Sequence, residues 1–211
     1  MTFNDTIKIN FRNIILVCGN DYYDRSLFIK NKICKDVINI VDNIFVVASK
    51  NTEKYYKNIT NKISALSDIK TYFNSIELPS QGDSANYKTI IIIDDENIKF
   101  NSKNRDDNAV MYELVYNARI YGMICVFTTD ETMFVPPEVR SNFDWIVISK
   151  YYNENMLNKY YDYYFSTLPN FEKKYFEIYI KKLNKNEFLV LQHKKPYGEN
   201  YCIFGLTVGS K

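Results

Sequence analysis

Five short runs, at residues 13–18, 44–48, 89–93, 123–127 and 145–149, are apolar at nearly every position and rich in Ile and Val. A strand with one face in water alternates apolar and polar residues, because successive side chains point to opposite faces. A run without alternation buries both faces, which requires a layer of helices on each side of the sheet. Residues 26–34, the region around 62–73, and 106–121 carry helix-compatible patterns between these runs. Parallel strands need crossovers of that length. The alternation predicts an α/β chain with a mainly parallel sheet flanked by helices.

After residue 149 the texture changes. Residues 153–165 are polar and rich in Tyr, and they open with Asn153, a good helix cap. Pro169 then interrupts the chain, and 171–183 is amphipathic at helical spacing. Two apolar stretches, EFLVLQ at 187–192 and YCIFGLTV at 201–208, flank the turn-forming segment KKPYGEN. They predict a C-terminal β-hairpin that extends the sheet. A loop is expected at LPSQGDSAN, residues 78–86. The 211 residues, 46% of them hydrophobic, suit a single domain over 1–211. Its core is expected over 11–150, with the helices and hairpin of 151–211 appended.

Several function classes are excluded or weakened by composition. The net charge of +2 is too small to attract nucleic acid by field alone, although residues 151–211 hold 9 Lys against 6 acidic residues. The 19 Tyr are spread along the chain and read as compositional bias. Cys18, Cys34, Cys125 and Cys202 are far apart and form no C-x-x-C pair, which suits small buried hydrophobes in a reducing compartment. A single His193 argues against a histidine-based metal cluster or a Ser/His/Asp triad. MTFNDTIKIN lacks the basic start and apolar core of a signal peptide, and no apolar stretch approaches the ~18–20 residues of a membrane helix. A soluble protein without membrane partners is expected.

Chemistry concentrates in four segments. CGNDYYDRSLFIK, residues 18–30, follows an apolar run and leads into a helix-like stretch, the order in which a phosphate-binding loop is built. Its spacing fits G-x-x-x-x-G-K-[ST]: Gly19 and Ser26 are in place, while Asp24 stands for the second Gly and Arg25 for the Lys. IIIIDDE places Asp94, Asp95 and Glu96 at the carboxyl end of a buried strand, where open α/β sheets bind ligands. VFTTD brings Thr129 and Asp130 to the same edge, and PPEVRSNFDWIVIS follows.

In their order and spacing these segments resemble the genome-packaging ATPases of large DNA viruses, a branch of the FtsK/HerA class of P-loop NTPases. The resemblance runs from Phe11 to about Phe204. It implies a P-loop NTPase-like sheet, with Gly19, Asp24, Arg25 and Ser26 as the phosphate loop. Ser26 and Asp94 match the Mg²⁺ ligands. Asp95 matches the catalytic acid, with Glu96 the alternative, and Thr129 and Asp130 face the γ-phosphate. Arg140, in P-x-x-x-R-x-N, matches a position near a neighbouring subunit's nucleotide. Arg119, in Asn117-Ala118-Arg119, matches a basic residue ending the preceding helix.

Where the family has Gly, Lys and Gln, this chain has Asp24, Arg25 and Asp130. A carboxylate in the loop opposes phosphate: at ~5 Å and an effective dielectric of ~20, each like pair costs about 3 kcal/mol. Arg25 keeps the charge without the compact shape of an ammonium. Asp130 accepts hydrogen bonds but does not donate them. The expectation is a packaging-ATPase-like domain that binds no cofactor, does not hydrolyse ATP, and serves a structural or assembly role. It would associate with itself or with other viral proteins, and with DNA in an oligomer, in the host cytoplasm or the virion. Two alternatives stand beside it. One is a divergent active translocase using Mg·ATP, and the other is a nucleic-acid-binding module that needs no nucleotide.

Overall fold

A computed structural model describes residues 3–4, 9–19, 21–60, 63–77, 87–100, 104–130, 135–150, 153–193 and 201–208. The loop expected at 78–86 and the turn at 194–200 lie outside the described residues.

Eight strands form one sheet in the order β1-β8-β7-β6-β2-β5-β4-β3. They are β1 (Phe3–Asn4), β2 (Ile14–Cys18), β3 (Asn43–Ala48), β4 (Thr89–Asp94), β5 (Ile124–Thr129), β6 (Trp145–Ser149), β7 (Glu187–His193) and β8 (Tyr201–Thr207). The five runs read from sequence are β2 to β6, and all of them pair in parallel. β7 and β8 form the antiparallel hairpin, and β7 joins it to the sheet against β6. The chain leaves β2 for one side of the sheet and returns to the other side through β6, so the strand order reverses beside β2.

The parity of each strand sorts its residues into two cores. Ile14, Leu16, Ile91, Ile93, Cys125, Phe127, Ile146 and Ile148 face one layer. It contains α3 (Leu66–Ser75), α4 (Arg105–Asn117), α5 (Pro137–Arg140), α6 (Glu154–Tyr160) and α7 (Lys173–Lys182). Ile15, Val17, Ile90, Ile92, Ile124, Val126, Trp145 and Val147 face the other layer. That layer holds α1 (Tyr22–Phe28), the π-helical turn Ile29–Cys34 that continues it, and α2 (Lys35–Val37). Each buried Ile or Val contributes roughly 1.5–3 kcal/mol relative to an exposed one, which is why uniform apolarity marks these strands. A second π-helical turn, Tyr161–Phe165, extends α6, whose cap is Asn153 accepting from Asn155 and Met156 N–H. Cys18, Cys34 and Cys125 are buried free thiols. Among the described residues no helix is long and apolar enough to cross a membrane.

Candidate functional site

Parallel register brings the carboxyl ends of β2, β4, β5 and β6 to one edge. Cys18 lies opposite Thr129 and beside Ile148, and Gly19 N donates to the Thr129 carbonyl at 3.1 Å. Gly19, Ser26, Asp94, Asp95, Glu96, Thr129 and Asp130 are therefore neighbours at the edge where the strand order reverses. Ligands of open α/β sheets bind at such an edge.

The β2–α1 connection departs from a phosphate loop. That loop stays open until its Lys, so that backbone N–H groups cradle phosphates. Here α1 begins at Tyr22, and residues 22–24 form its first turn. Asp21 is the N-cap, and its carboxylate accepts from Tyr23 N at 2.8 Å. Arg25 N donates to the Asp21 carbonyl at 3.2 Å. Two donors that a phosphate would take are thus satisfied within the helix. The sequence explains the early start: Asp21 is a strong cap and nothing after Gly19 in the span is Gly. No residue of 21–26 adopts positive φ. Asn20 lies outside the described residues.

Arg25 fills what would be the hollow. It is 1% exposed, its guanidinium donates to the Gly19 carbonyl and lies 4.9 Å from the Tyr22 ring, and its Nε is buried without a partner among the described residues. Gly19 is needed for another reason than phosphate. A Cβ there would overlap Ser149 Oγ and lie 3.2 Å from Arg25 Cγ.

Asp94 is fully buried and receives three hydroxyls. Ser26 Oγ donates to Oδ2 at 2.6 Å, Tyr56 OH to the same oxygen at 2.7 Å, and Thr128 Oγ1 to Oδ1 at 2.9 Å. Thr52 Oγ1 donates to the Asp94 carbonyl at 2.6 Å. Burial, and then the Asp94 charge, push the Tyr56 phenol well above its ordinary pKa, so it stays a donor. Asp95 accepts from Asn97 N and Nδ2, both at 2.9 Å. Glu96 accepts from Asn51 Nδ2 at 3.0 Å. Burial opposes its ionisation, but hydrogen bonds from Ser49 and Asn51 and the Arg25 charge outweigh burial and hold its pKa below the usual value. Arg25, Asp95, Glu96, Thr128, Thr129 and Asp130 line a crevice of about 20 Å³, room for about one water. In this arrangement the residues present do not fit a triphosphate. Ser26 and Asp94, which match the Mg²⁺ ligands, bond each other, and Tyr56 and Thr128 take further positions on the same carboxylate.

Two residues expected at this chain's own site, Asp24 and Arg119, lie elsewhere, and Arg140, expected beside a neighbouring subunit's nucleotide, is also apart from the cluster. Asp24 was expected to oppose the phosphates. Helical winding turns it ~100° from Arg25, onto a different face of α1. There it lines a cleft of about 570 Å³ with Asp21, Tyr22, Lys150, Asn184, Lys185 and Glu187. Burial and then the charge of Asp21 raise its pKa, against Lys185. Arg119 braces the opposite edge of the sheet. It donates to the Asn142 carbonyl and, at 2.9 Å, to Asp144 Oδ2, which also accepts from Ile14 N at 2.8 Å. Arg140 is held within its own chain, with Nε donating to the Val135 carbonyl at 2.8 Å and its guanidinium 3.6 Å from the Tyr163 ring centroid.

Tyr56, Thr52, Asn51, Thr128 and Ser149 escaped the sequence reading. A usable signal existed for Asn51, Thr52 and Ser149. If all five runs are parallel, the residues ending or following each share one edge, so those of β3 and β6 belong with Asp94 as much as those of β5 do.

No protein-family model matches the chain, and no curated protein matches it in sequence. Solved structures do match its fold. The genome-packaging NTPase B204 of Sulfolobus turreted icosahedral virus 2, in complex with ATP-gammaS, superposes with a TM-score of 0.62 at 18% identity, covering 91% of this chain and 96% of that one. B204, the DNA-packaging ATPase of Sulfolobus turreted icosahedral virus, gives 0.62 at 16% identity over 93% and 98%. The fold is that of the viral genome-packaging ATPases. The same architecture extends to the pCW3 conjugation coupling protein TcpA, with a TM-score of 0.59, 12% identity, and coverage of 96% of this chain but 62% of TcpA. The packaging-ATPase fold thus spans nearly the whole chain.

Proposed function

We propose that this chain is a packaging-ATPase-like P-loop domain of a virus that does not turn over ATP and serves a structural or assembly role. The observation that carries the reading is the start of α1 at Tyr22, with Arg25 turned in against the Gly19 carbonyl. To admit a triphosphate the first turn must unwind and Arg25 must withdraw. Losing the Asp21 cap costs about 1 kcal/mol, and breaking a buried hydrogen bond from a charged group costs about 1.5–3 kcal/mol. Together these weaken binding by about two to three orders of magnitude, since 1.4 kcal/mol is a factor of about ten. The partners in this reading are further copies of the chain or other viral proteins, with DNA met in an oligomer. Its place is the host cytoplasm or the virion, and the 1–211 span acts as one domain.

A second reading is a divergent but active DNA-translocating ATPase. It is favoured by the clustering of Ser26, Asp94, Asp95 and Glu96 at one edge and by the ATP-gammaS complex of B204. Titration calorimetry of the native chain with Mg·ATP separates the two. The proposal expects no binding at sub-millimolar nucleotide. Micromolar binding, or turnover in a phosphate-release assay, overturns it in favour of the translocase.

A further inference from the structure

We infer that Tyr56 is the residue that keeps a divalent cation off Asp94, making the turn after β3 a metal-excluding clamp. The inference rests on the reading of this site as a non-hydrolysing relative. Ionised, Asp94 offers about four lone-pair directions. Hydroxyl groups of Ser26, Tyr56 and Thr128 take three of them. A cation, or the water it carries, needs an acceptor on the same carboxylate, and a donated O–H competes with it directly. Mg²⁺ sharpens the conflict, because it demands near-octahedral oxygen ligands at about 2.0–2.1 Å and keeps several waters.

The three hydroxyls are not equivalent. Ser26 rotates about one bond and still has lone pairs to turn toward a metal, so its bond to Asp94 is compatible with a cation site. Thr128 approaches the other oxygen, Oδ1. Tyr56 shares Oδ2 with Ser26 on the side toward α1. Its ring is fully buried within the core that packs Phe28, Ile33 and Val37. Its backbone is held at both ends: Tyr56 N donates to the Glu53 carbonyl at 3.0 Å, and its own carbonyl accepts from Ile59 N at 2.8 Å and Thr60 N at 3.0 Å. Thr52, four residues earlier, fixes the same turn to the Asp94 carbonyl, and Asn51 reaches Glu96. The clamp therefore grips the acidic strand end through its backbone, its buried carboxylate and a neighbouring acid. The phenol cannot leave Oδ2 without pulling an aromatic ring from the core.

The test measures Mn²⁺ alone, without nucleotide, by electron paramagnetic resonance of the free ion in the full chain. Tyr56→Phe removes one oxygen and keeps the ring. It is expected to bind Mn²⁺ at least about tenfold more tightly than the native chain, the factor that one lost competing hydrogen bond to a charged group represents. Adding Asp94→Asn should abolish the gain and so place the ion. Tyr56→Leu serves as a second variant if the buried carboxylate destabilises the first. If Tyr56→Phe or Tyr56→Leu folds and gains no Mn²⁺ affinity, the assignment is overturned. In the native chain, Mn²⁺ should leave the melting temperature unchanged; a rise that Asp94→Asn removes also overturns it. Mg·ATP binding by the native chain would overturn the functional reading instead, whatever Mn²⁺ does to the variants.

Discussion

Asp24 and Arg25 are adjacent in sequence and lie on faces of α1 about 100° apart, so their charges act on different surroundings. Arg25 sits in the hollow beside Gly19, while Asp24 lies in the cleft with Lys150 and Lys185. The pKa of Asp24 is raised by burial and by Asp21, so the folded state holds its proton more firmly than the unfolded chain does. That contribution is absent below the ordinary carboxylate range. It becomes destabilising as pH rises through that range to the folded value, and it stays so at neutral pH. Asp24→Asn is accordingly expected to raise the melting temperature at pH 7. The gain should vanish when denaturation is repeated in acid below the ordinary carboxylate range. A gain independent of pH would mean that the Asp24 charge is not its source.

At the scale of elements, the decisive feature is where α1 begins. Helical winding of 22–24 and the burial of Arg25 reinforce each other, so neither single reversion opens the loop. Arg25→Lys removes the fork from Gly19 but leaves a capped first turn. Asp24→Gly weakens that turn by only about 0.3 kcal/mol of intrinsic helix propensity and leaves Arg25 in place. The double change is expected to bring Mg·ATP binding into the calorimetric range, with hydrolysis still low because Asp130 offers no donor. A single variant that binds as well as the double would show that one of the two obstacles is inert. The opposite edge depends on another link between elements. Arg119, from the turn after α4, joins Asp144 before β6 to Ile14 of β2. Arg119→Met leaves a nearly buried carboxylate without its cation and should destabilise the fold by about 3 kcal/mol in urea denaturation. A residue that served only to contact nucleotide would leave unfolding unchanged.

The whole molecule has a net charge of +2, and its basic runs never exceed two residues. α7 carries Lys at both ends, but Lys174 is paired with Glu172 at 2.8 Å. Duplex DNA binding by the isolated chain should therefore be weak and should fade steeply between about 50 and 200 mM salt. Fluorescence anisotropy with a labelled duplex measures this. Tight binding that is insensitive to salt would restore the nucleic-acid module as the better account.

The sheet was legible because burial on both faces leaves a mark at every position of a strand. The runs IILVC and TIIII needed no knowledge of the rest of the chain to be read as parallel strands. The common edge followed from their shared direction, and with it the meeting of Gly19, Ser26, Asp94 and Thr129. The hairpin was visible as two apolar runs separated by a turn-forming stretch. What sequence left open was the state of the loop. Spacing to the pattern G-x-x-x-x-G-K-[ST] is the same whether 22–24 are an open nest or a helical turn. The choice turns on where Arg25 packs and which N–H groups Asp21 satisfies. The Tyr56 hydroxyl on Asp94 was equally hidden, because Tyr56 is distant in sequence and lies in the turn after β3. Local pattern determined the elements and their edge; contacts between elements decided how Arg25 and Asp94 pack there.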